Sequence, residues 1–258
     1  MAKRNYETLI DRLHNIAAKP NAQLLQIGEF EACGKSYPMF CVRIGKDASA
    51  KKRVMINAGI HGDEPGGVEA ALAFMDRIAT ADGLRDRFDF TVLPCNNPTG
   101  WERNTRENVN GIDLNREFNA PKPAPEAGII SKTLQGKCFD LIFEMHEDVD
   151  CPGFYMYEIA EDPAAYIGEQ IIEAAESIGC PINRDECIEG TPAANGLIRP
   201  KIVKFRKTRL PLAIFAWRTC GGHVITLEPP VTGLSIEKRV QIQLIALTIA
   251  LDSLAAAE

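Results

Sequence analysis

Two residues at close spacing carry the first chemical signal in the sequence. His61 and Glu64 stand three positions apart, directly after the apolar run Arg53–Ile60. A neutral imidazole and a carboxylate at that spacing can converge from a strand-end turn on one ion. Gly62 frees the backbone between them, and Pro65 suits the first turn of a following helix. Two protein ligands are too few. A third His with an open fourth coordination position makes a catalytic zinc centre. The chain has four histidines, His14, His61, His146 and His223. His14 falls in an expected N-terminal helix, at spacing suited to a surface or packing role. His223 begins an apolar run after Gly221-Gly222 and is expected at the opposite end of the sheet from Glu228. His146 closes the run Phe139–Met145 and is the third ligand of choice.

Two further clusters could serve the same site. The segment Asn96–Phe118 is rich in Asn, Arg and Gly and reads as a polar loop outside the core. Its Arg103, Arg106 and Arg116, set among amides, suit an anionic planar group, which Arg binds best through two parallel hydrogen bonds. A plainer role is open as well, in which Asp113 and Arg116 pair locally and only shape the loop. The second cluster is Ile225-Thr226-Leu227-Glu228-Pro229-Pro230, an apolar strand that ends in a carboxylate. Ending there exposes Glu228 to whatever occupies the cleft.

The elements that must position these residues alternate between strand and helix. Strands are expected over Leu24–Phe30, Tyr37–Ile44, Arg53–Ile60, Phe88–Cys95, Phe139–Met145, Tyr155–Ile159, Leu212–Trp217 and His223–Leu227. Helices are expected over Gly67–Ala79, from about Pro125 to Gly136, over Pro163–Ile178 and over Ile236–Leu254. That alternation predicts an α/β layer architecture with a mixed, mostly parallel sheet flanked by helices, in one domain over residues 1–258. Ligands of such sheets bind at the carboxyl ends of the strands. His61–Glu64, His146 and Glu228 each follow an apolar strand-like run, which points to one shared site.

Composition bounds the setting. The chain has 258 residues, 45% hydrophobic and 25% charged, with a net charge of −6. This is ordinary globular composition and argues against disorder and against a general nucleic-acid binder. The longest apolar candidate, near Val240–Leu251, is interrupted by Gln241, Gln243 and Thr248 and reads as too short to span a membrane. No apolar run follows Lys3 and Arg4, so a secretory signal is not expected and the cytoplasm is the default location. Eight dispersed cysteines without a Cys-x-x-Cys pair read as reduced thiols rather than a structural zinc site. The basic run Lys201, Lys204, Arg206, Lys207 and Arg209 reads as the solvated face of a strand or hairpin, or as a lip for anionic substrates.

Taken in order, His61-Gly62-Asp63-Glu64, Asn97-Pro98, Asp113-Leu114-Asn115-Arg116, His146 and Thr226-Leu227-Glu228-Pro229 resemble the signature series of the zinc carboxypeptidase-like metallohydrolases. That superfamily includes the metallocarboxypeptidases and the shorter aspartoacylase and succinylglutamate desuccinylase branch. The likeness spans about Ile56–Pro230. It implies one Zn2+ per chain held by His61, Glu64 and His146. It implies that Glu228 is the general base that takes a proton from metal-activated water and passes it to the leaving amine. Arg106, preferred over Arg103 by its register with Asn97, would polarise the scissile carbonyl, and Asn115 and Arg116 would hold the substrate carboxylate.

The sequence departs from the family at two points. No Tyr lies between Tyr166 and Glu228, where many metallocarboxypeptidases place a mobile one, and Tyr155 and Tyr157 lie too near His146 to replace it. Arg218, ten residues before Glu228, resembles a substrate-binding Arg of the deacylase branch, although the Tyr expected four residues earlier is Ile214. Arg218 is thus a candidate anchor for a second carboxylate or a plain surface Arg. The resulting expectation is a hydrolase that cleaves an amide or peptide bond next to a free carboxylate. Its partner would be a peptide, or in the alternative an N-acyl amino acid, with no nucleic acid or membrane and an unassigned oligomeric state.

Overall fold

The computed structural model describes residues 4–45, 52–80, 83–201 and 206–256. Helix α1 (Tyr6–Ala17) precedes a hairpin of β1 (Ala22–Ala32) and β2 (Lys35–Ile44), followed by β3 (Lys52–Ala58), α2 (Pro65–Ile78), α3 (Gly83–Arg87) and β4 (Phe88–Leu93). Then come α4 (Pro98–Arg103), α5 (Pro125–Leu134), β5 (Leu141–Met145), β6 (Tyr155–Ile159) and α6 (Gly168–Ser177). The two-residue strands β7 (Cys187–Ile188), β8 (Thr191–Pro192) and β9 (Leu197–Ile198) lead to α7 (Leu212–Cys220), β10 (His223–Glu228) and α8 (Ile236–Ala256).

Eight of these strands form one mixed sheet in the order β1-β2-β4-β3-β5-β10-β6-β9, as expected for a mostly parallel α/β architecture. Its centre, β4-β3-β5-β10, is parallel, whereas β1, β2 and β6 join by antiparallel pairing. The apolar runs explain the centre. Val54, Met55 and Ile56 on β3 and Leu141, Ile142 and Phe143 on β5 are buried on both faces, as parallel strands covered by helices must be. The β1–β2 hairpin at the sheet edge instead carries exposed polar residues, Gln23, Gln26, Glu29 and Glu31. Its two-residue turn places Cys33 at φ 52° and Gly34 at φ 72°, the twist that closes a tight hairpin.

Helices α2, α6 and α8 cover one face, with α8 packed on both of the others, and α5 and α7 cover the opposite face. Val68, Leu72, Met75 and Ile78 are all buried, as the predicted stripe of α2 requires. Helix α8 exceeds the Val240–Leu251 run and is, by length and composition alone, long and apolar enough to cross a membrane. In this fold its Ile242, Ala246, Leu247, Ala250 and Leu251 are buried.

Three expectations need correction. Leu212–Trp217 is not a strand but belongs to α7. A short apolar run does not distinguish strand from buried helix, and here Ala213 and Ala216 favour helix, while Pro211 precedes it and Gly221 at φ 73° ends it. The segment Asn96–Phe118 is not a loop outside the core. It contains α4 and a short 3-10 turn at Leu114–Arg116, and Asn96, Asn97, Thr99, Asn108, Leu114 and Phe118 are buried. Pro163–Ile178 is a 3-10 turn at Pro163–Ala165 followed by α6 rather than one helix. Within the basic run, Lys204 lies outside the described residues, and Lys201, Arg206, Lys207 and Arg209 are exposed.

Candidate active site

The carboxyl ends of β3, β5 and β10, neighbours in the sheet, deliver His61, His146 and Glu228 to one edge. Glu64 sits at the start of α2, with Pro65 in the first helical turn as expected. His61 Nδ1 lies 2.5 Å from Glu64 Oε1, and His146 Nδ1 lies 3.0 Å from Glu64 Oε2. One donor atom from each of the three residues lies within 4.8 Å of the others, and all three side chains are buried.

The arrangement fits a divalent cation. Both ring nitrogens of His146 are buried without a hydrogen-bond partner, so the 3.0 Å approach to Glu64 is a contact without donor geometry. Orphaned nitrogens of this kind are costly unless something else engages them. Two imidazoles and a carboxylate are a hard-to-intermediate donor set suited to zinc. Burial by itself disfavours the charged forms here. Yet Glu64 is held below the usual carboxylate range by the two imidazoles, and Glu64 and Asp113 lift His61 to about 9. Burial pushes Glu228 well above its ordinary value, and a cation across the cleft would act in the opposite sense.

Supporting contacts hold the donors in place. His61 Nε2 lies 3.2 Å from Asp113 Oδ1, which leaves Nδ1, on the Glu64 side, as the nitrogen that would meet an ion. Asp113 pairs with His61 and, at 3.3 Å, with Arg106 Nη2, rather than serving only as a local partner of Arg116. The backbone N–H of Glu147 donates to Glu64 Oε2 at 3.2 Å. Glu147 itself is buried between the Gly66 N–H at 2.7 Å and Arg239 Nη1 at 2.7 Å, and α8 also reaches the His146 carbonyl through Gln243. Arg239 and Gln243 were not singled out in the sequence, because nothing in a helical stripe marks which polar residue faces inward.

Asn97 explains how the arginine segment is held. Its Oδ1 accepts from the Gly100 N–H at the start of α4, while its Nδ2 donates to the carbonyls of Ile60 and Arg106. Gly62 fits only as glycine, since a Cβ there would sit 1.9 Å from the Gly100 carbonyl carbon. These contacts bring Arg106 to the cleft, with Nη1 3.9 Å from Glu64 Oε1. Arg103 instead reaches out to Cys33 on the β1–β2 turn. Asn115 Oδ1 accepts from the Leu212 N–H, capping the start of α7, and this leaves its amide NH2 to offer.

Around these groups lies a cleft of about 420 Å3, lined by His61, Glu64, Arg106, Asn115, Arg116 and Glu228 among others. Arg218 is not among the lining residues. It stands exposed on the last turn of α7, where it donates to the Arg206 carbonyl. Its spacing of ten residues before Glu228 made it a candidate, but the helix places it outside the cleft lining. His14 packs edge-on against Phe40, and His223 pairs with buried Glu158 at 3.1 Å. Tyr155 and Tyr157 both line the cleft, with the Tyr155 hydroxyl bonded to Asp148 at 2.7 Å.

The same mixed α/β fold is found in solved structures of other proteins. A protein from Shewanella denitrificans OS217 shares it at TM-score 0.80 and 20% identity, covering 97% of this chain and 91% of that one. A metallo-carboxypeptidase from Burkholderia cenocepacia matches at TM-score 0.74 and 20% identity over 99% of this chain and 70% of that one. At these identities the likeness concerns the fold. Residues 17–135 match the family described as zinc carboxypeptidase, the likeness that the motifs led us to expect. A cytosolic carboxypeptidase 2 from Homo sapiens is 40% identical over 78 residues, 28% of this chain, and a carboxypeptidase 2 from Trichophyton tonsurans is 36% identical over 78 residues. These matches cover only 9% and 14% of the two relatives' lengths.

Proposed function

We propose that the chain, over residues 1–258, is a zinc-dependent hydrolase of the metallocarboxypeptidase type, cleaving a peptide bond next to a free C-terminal carboxylate. The observation that carries this reading is the convergence of His61, Glu64 and His146 with Glu228 and Arg106 around one cleft. His61, Glu64 and His146 would hold one Zn2+. Bound there, the ion supplies Lewis acidity and lowers the pKa of water toward ~7.

The chain's own residues do the remainder. Glu228 takes the proton of the attacking water on a carboxylate oxygen and delivers it to the leaving amine nitrogen. Arg106 donates to the scissile carbonyl oxygen as negative charge develops there. Arg116 and the Asn115 amide hold the terminal carboxylate, fixing the bond to be cut relative to Glu228. The cleft gathers Arg106 and Arg116 as its lining cations, against a larger number of carboxylates. With Arg218 outside it, Arg106 and Arg116 are the lining arginines among the described residues, which favours peptides over dicarboxylic N-acyl amino acids. The reading includes a cytoplasmic enzyme without a nucleic-acid or membrane partner.

A substrate panel with metal analysis tests it. Peptides with free C-termini should be cleaved with stoichiometric zinc, and their C-terminally amidated forms should not. Cleavage confined to N-acetyl or N-succinyl amino acids would overturn the peptidase assignment, and indifference to amidation would remove the role of Asn115 and Arg116.

A further inference from the structure

One buried carboxylate beside the site has no part in the reading above. Glu144 is 1% exposed, on the strand β5 that ends in His146. The register places it in a row across three strands, paired with Asn57 on β3 and Thr226 on β10. Asn57 Nδ2 donates to Glu144 Oε1 at 2.9 Å, and the Thr226 hydroxyl donates to Oε2 at 3.1 Å. Both donors are neutral, and strand interiors flanked by apolar residues offer no packing reason for such a row. Burying a carboxylate is costly unless it meets a partner that justifies it.

The missing partner is two residues along the same strand. Alternate residues of a strand share a face, so Glu144 and His146 project together. His146 Nε2 is buried without a hydrogen bond, and Glu144 Oε2 lies 3.9 Å from it. The other imidazole of the cluster already shows the completed arrangement, with His61 Nε2 on Asp113 at 3.2 Å. Metal-bound histidines almost always donate their second ring N–H to such an acceptor.

We propose that Glu144 is the positioning residue of His146. It accepts the Nε2–H, which fixes the tautomer and leaves the Nδ1 lone pair facing Glu64 and the ion, while Asn57 and Thr226 hold the carboxylate in line. Closing the 3.9 Å separation to hydrogen-bond length takes a shift of about 1 Å. The two imidazoles then have one dedicated carboxylate each, Asp113 from the loop and Glu144 from the strand. This inference rests on the metal reading of the preceding section.

The test measures zinc binding rather than turnover. Metal-free wild type, E144A, E144Q and T226V are titrated with zinc against a competing chelator, and the melting temperature of each metal-free protein is recorded. Substitution by Ala should weaken zinc about 10–100-fold. Gln, which keeps an acceptor oxygen, should recover part of that loss at a melting temperature close to wild type, and T226V should lose less than E144A. The visible absorption of the cobalt-loaded E144Q protein should shift, because His146 is reoriented. Should E144A fail to fold, E144Q carries the measurement. Wild-type zinc affinity in folded E144A or E144Q, or an unshifted cobalt spectrum, overturns the proposal. A wild type that binds no zinc overturns the metal assignment itself and this inference with it, so the two failures are distinct.

Discussion

The floor of the cleft and its wall are built on different principles. On the floor, His61, Glu64 and His146 are 2–3% exposed; His61 and His146 follow the adjacent parallel strands β3 and β5, and Glu64 starts α2. On the wall, the Arg106 side chain is 41% exposed and is placed by loop contacts, chiefly Asn97 to the Ile60 and Arg106 carbonyls. The difference teaches how the labour is divided. Groups that hold an ion need a rigid, dry setting in which electrostatic interactions are strong. Groups that grip a substrate must stay reachable, so they are set on segments anchored by a few hydrogen bonds and left partly in water.

Mutation can break this comparison at graded cost. His146→Ala on the floor should abolish stoichiometric zinc and turnover together, well beyond the ~10–100-fold effect of a supporting residue. Metal analysis and hydrolysis assays on the same preparation check it. Glu228→Gln should keep the metal and lower kcat about 10²–10⁴-fold, as expected for loss of a general base. A near-normal rate would remove Glu228 from that role.

Effects on the wall should be smaller. Arg106→Ala is expected to lower kcat/KM about 10²–10³-fold at unchanged zinc content, the scale seen for one oxyanion donor. Arg116→Ala should raise KM about 10-fold or more with little change in kcat, since it removes a charge-assisted hydrogen bond made before and during reaction. Any residual cleavage of amidated peptides should be insensitive to that substitution, which sharpens the assignment. Arg218→Ala should leave kinetics unchanged and shift stability by no more than about 0.5 kcal/mol. A marked loss with dicarboxylic substrates would instead return Arg218 to the site.

The parts that were legible in the sequence share a physical cause. His61, His146 and Glu228 each follow an uninterrupted apolar run. Such runs in an alternating pattern predict buried parallel strands whose ends line a cleft. The part that misled was Leu212–Trp217, an apolar run equally able to form a buried helix. Arg218 was a candidate by its spacing of ten residues before Glu228, and the helix places it exposed on its last turn. Asn96–Phe118 misled in the other direction. Its polarity suggested exposure, yet Asn97 and Asn108 are buried because backbone groups of the same segment satisfy them.

The sequence alone pointed to the proposed donor set, because residue type and strand-end position are local properties. His61 and Glu64 are three positions apart, and the apolar runs before His146 and Glu228 state where each strand stops. Tertiary structure decided which acceptor each imidazole meets. Asp113 reaches His61 across 52 residues of chain, and Glu144 lies beneath His146 held by Asn57, 87 residues away, and by Thr226, 82 residues away. Those contacts exist only because β3, β5 and β10 lie side by side in register, and no local pattern encodes which strands become neighbours.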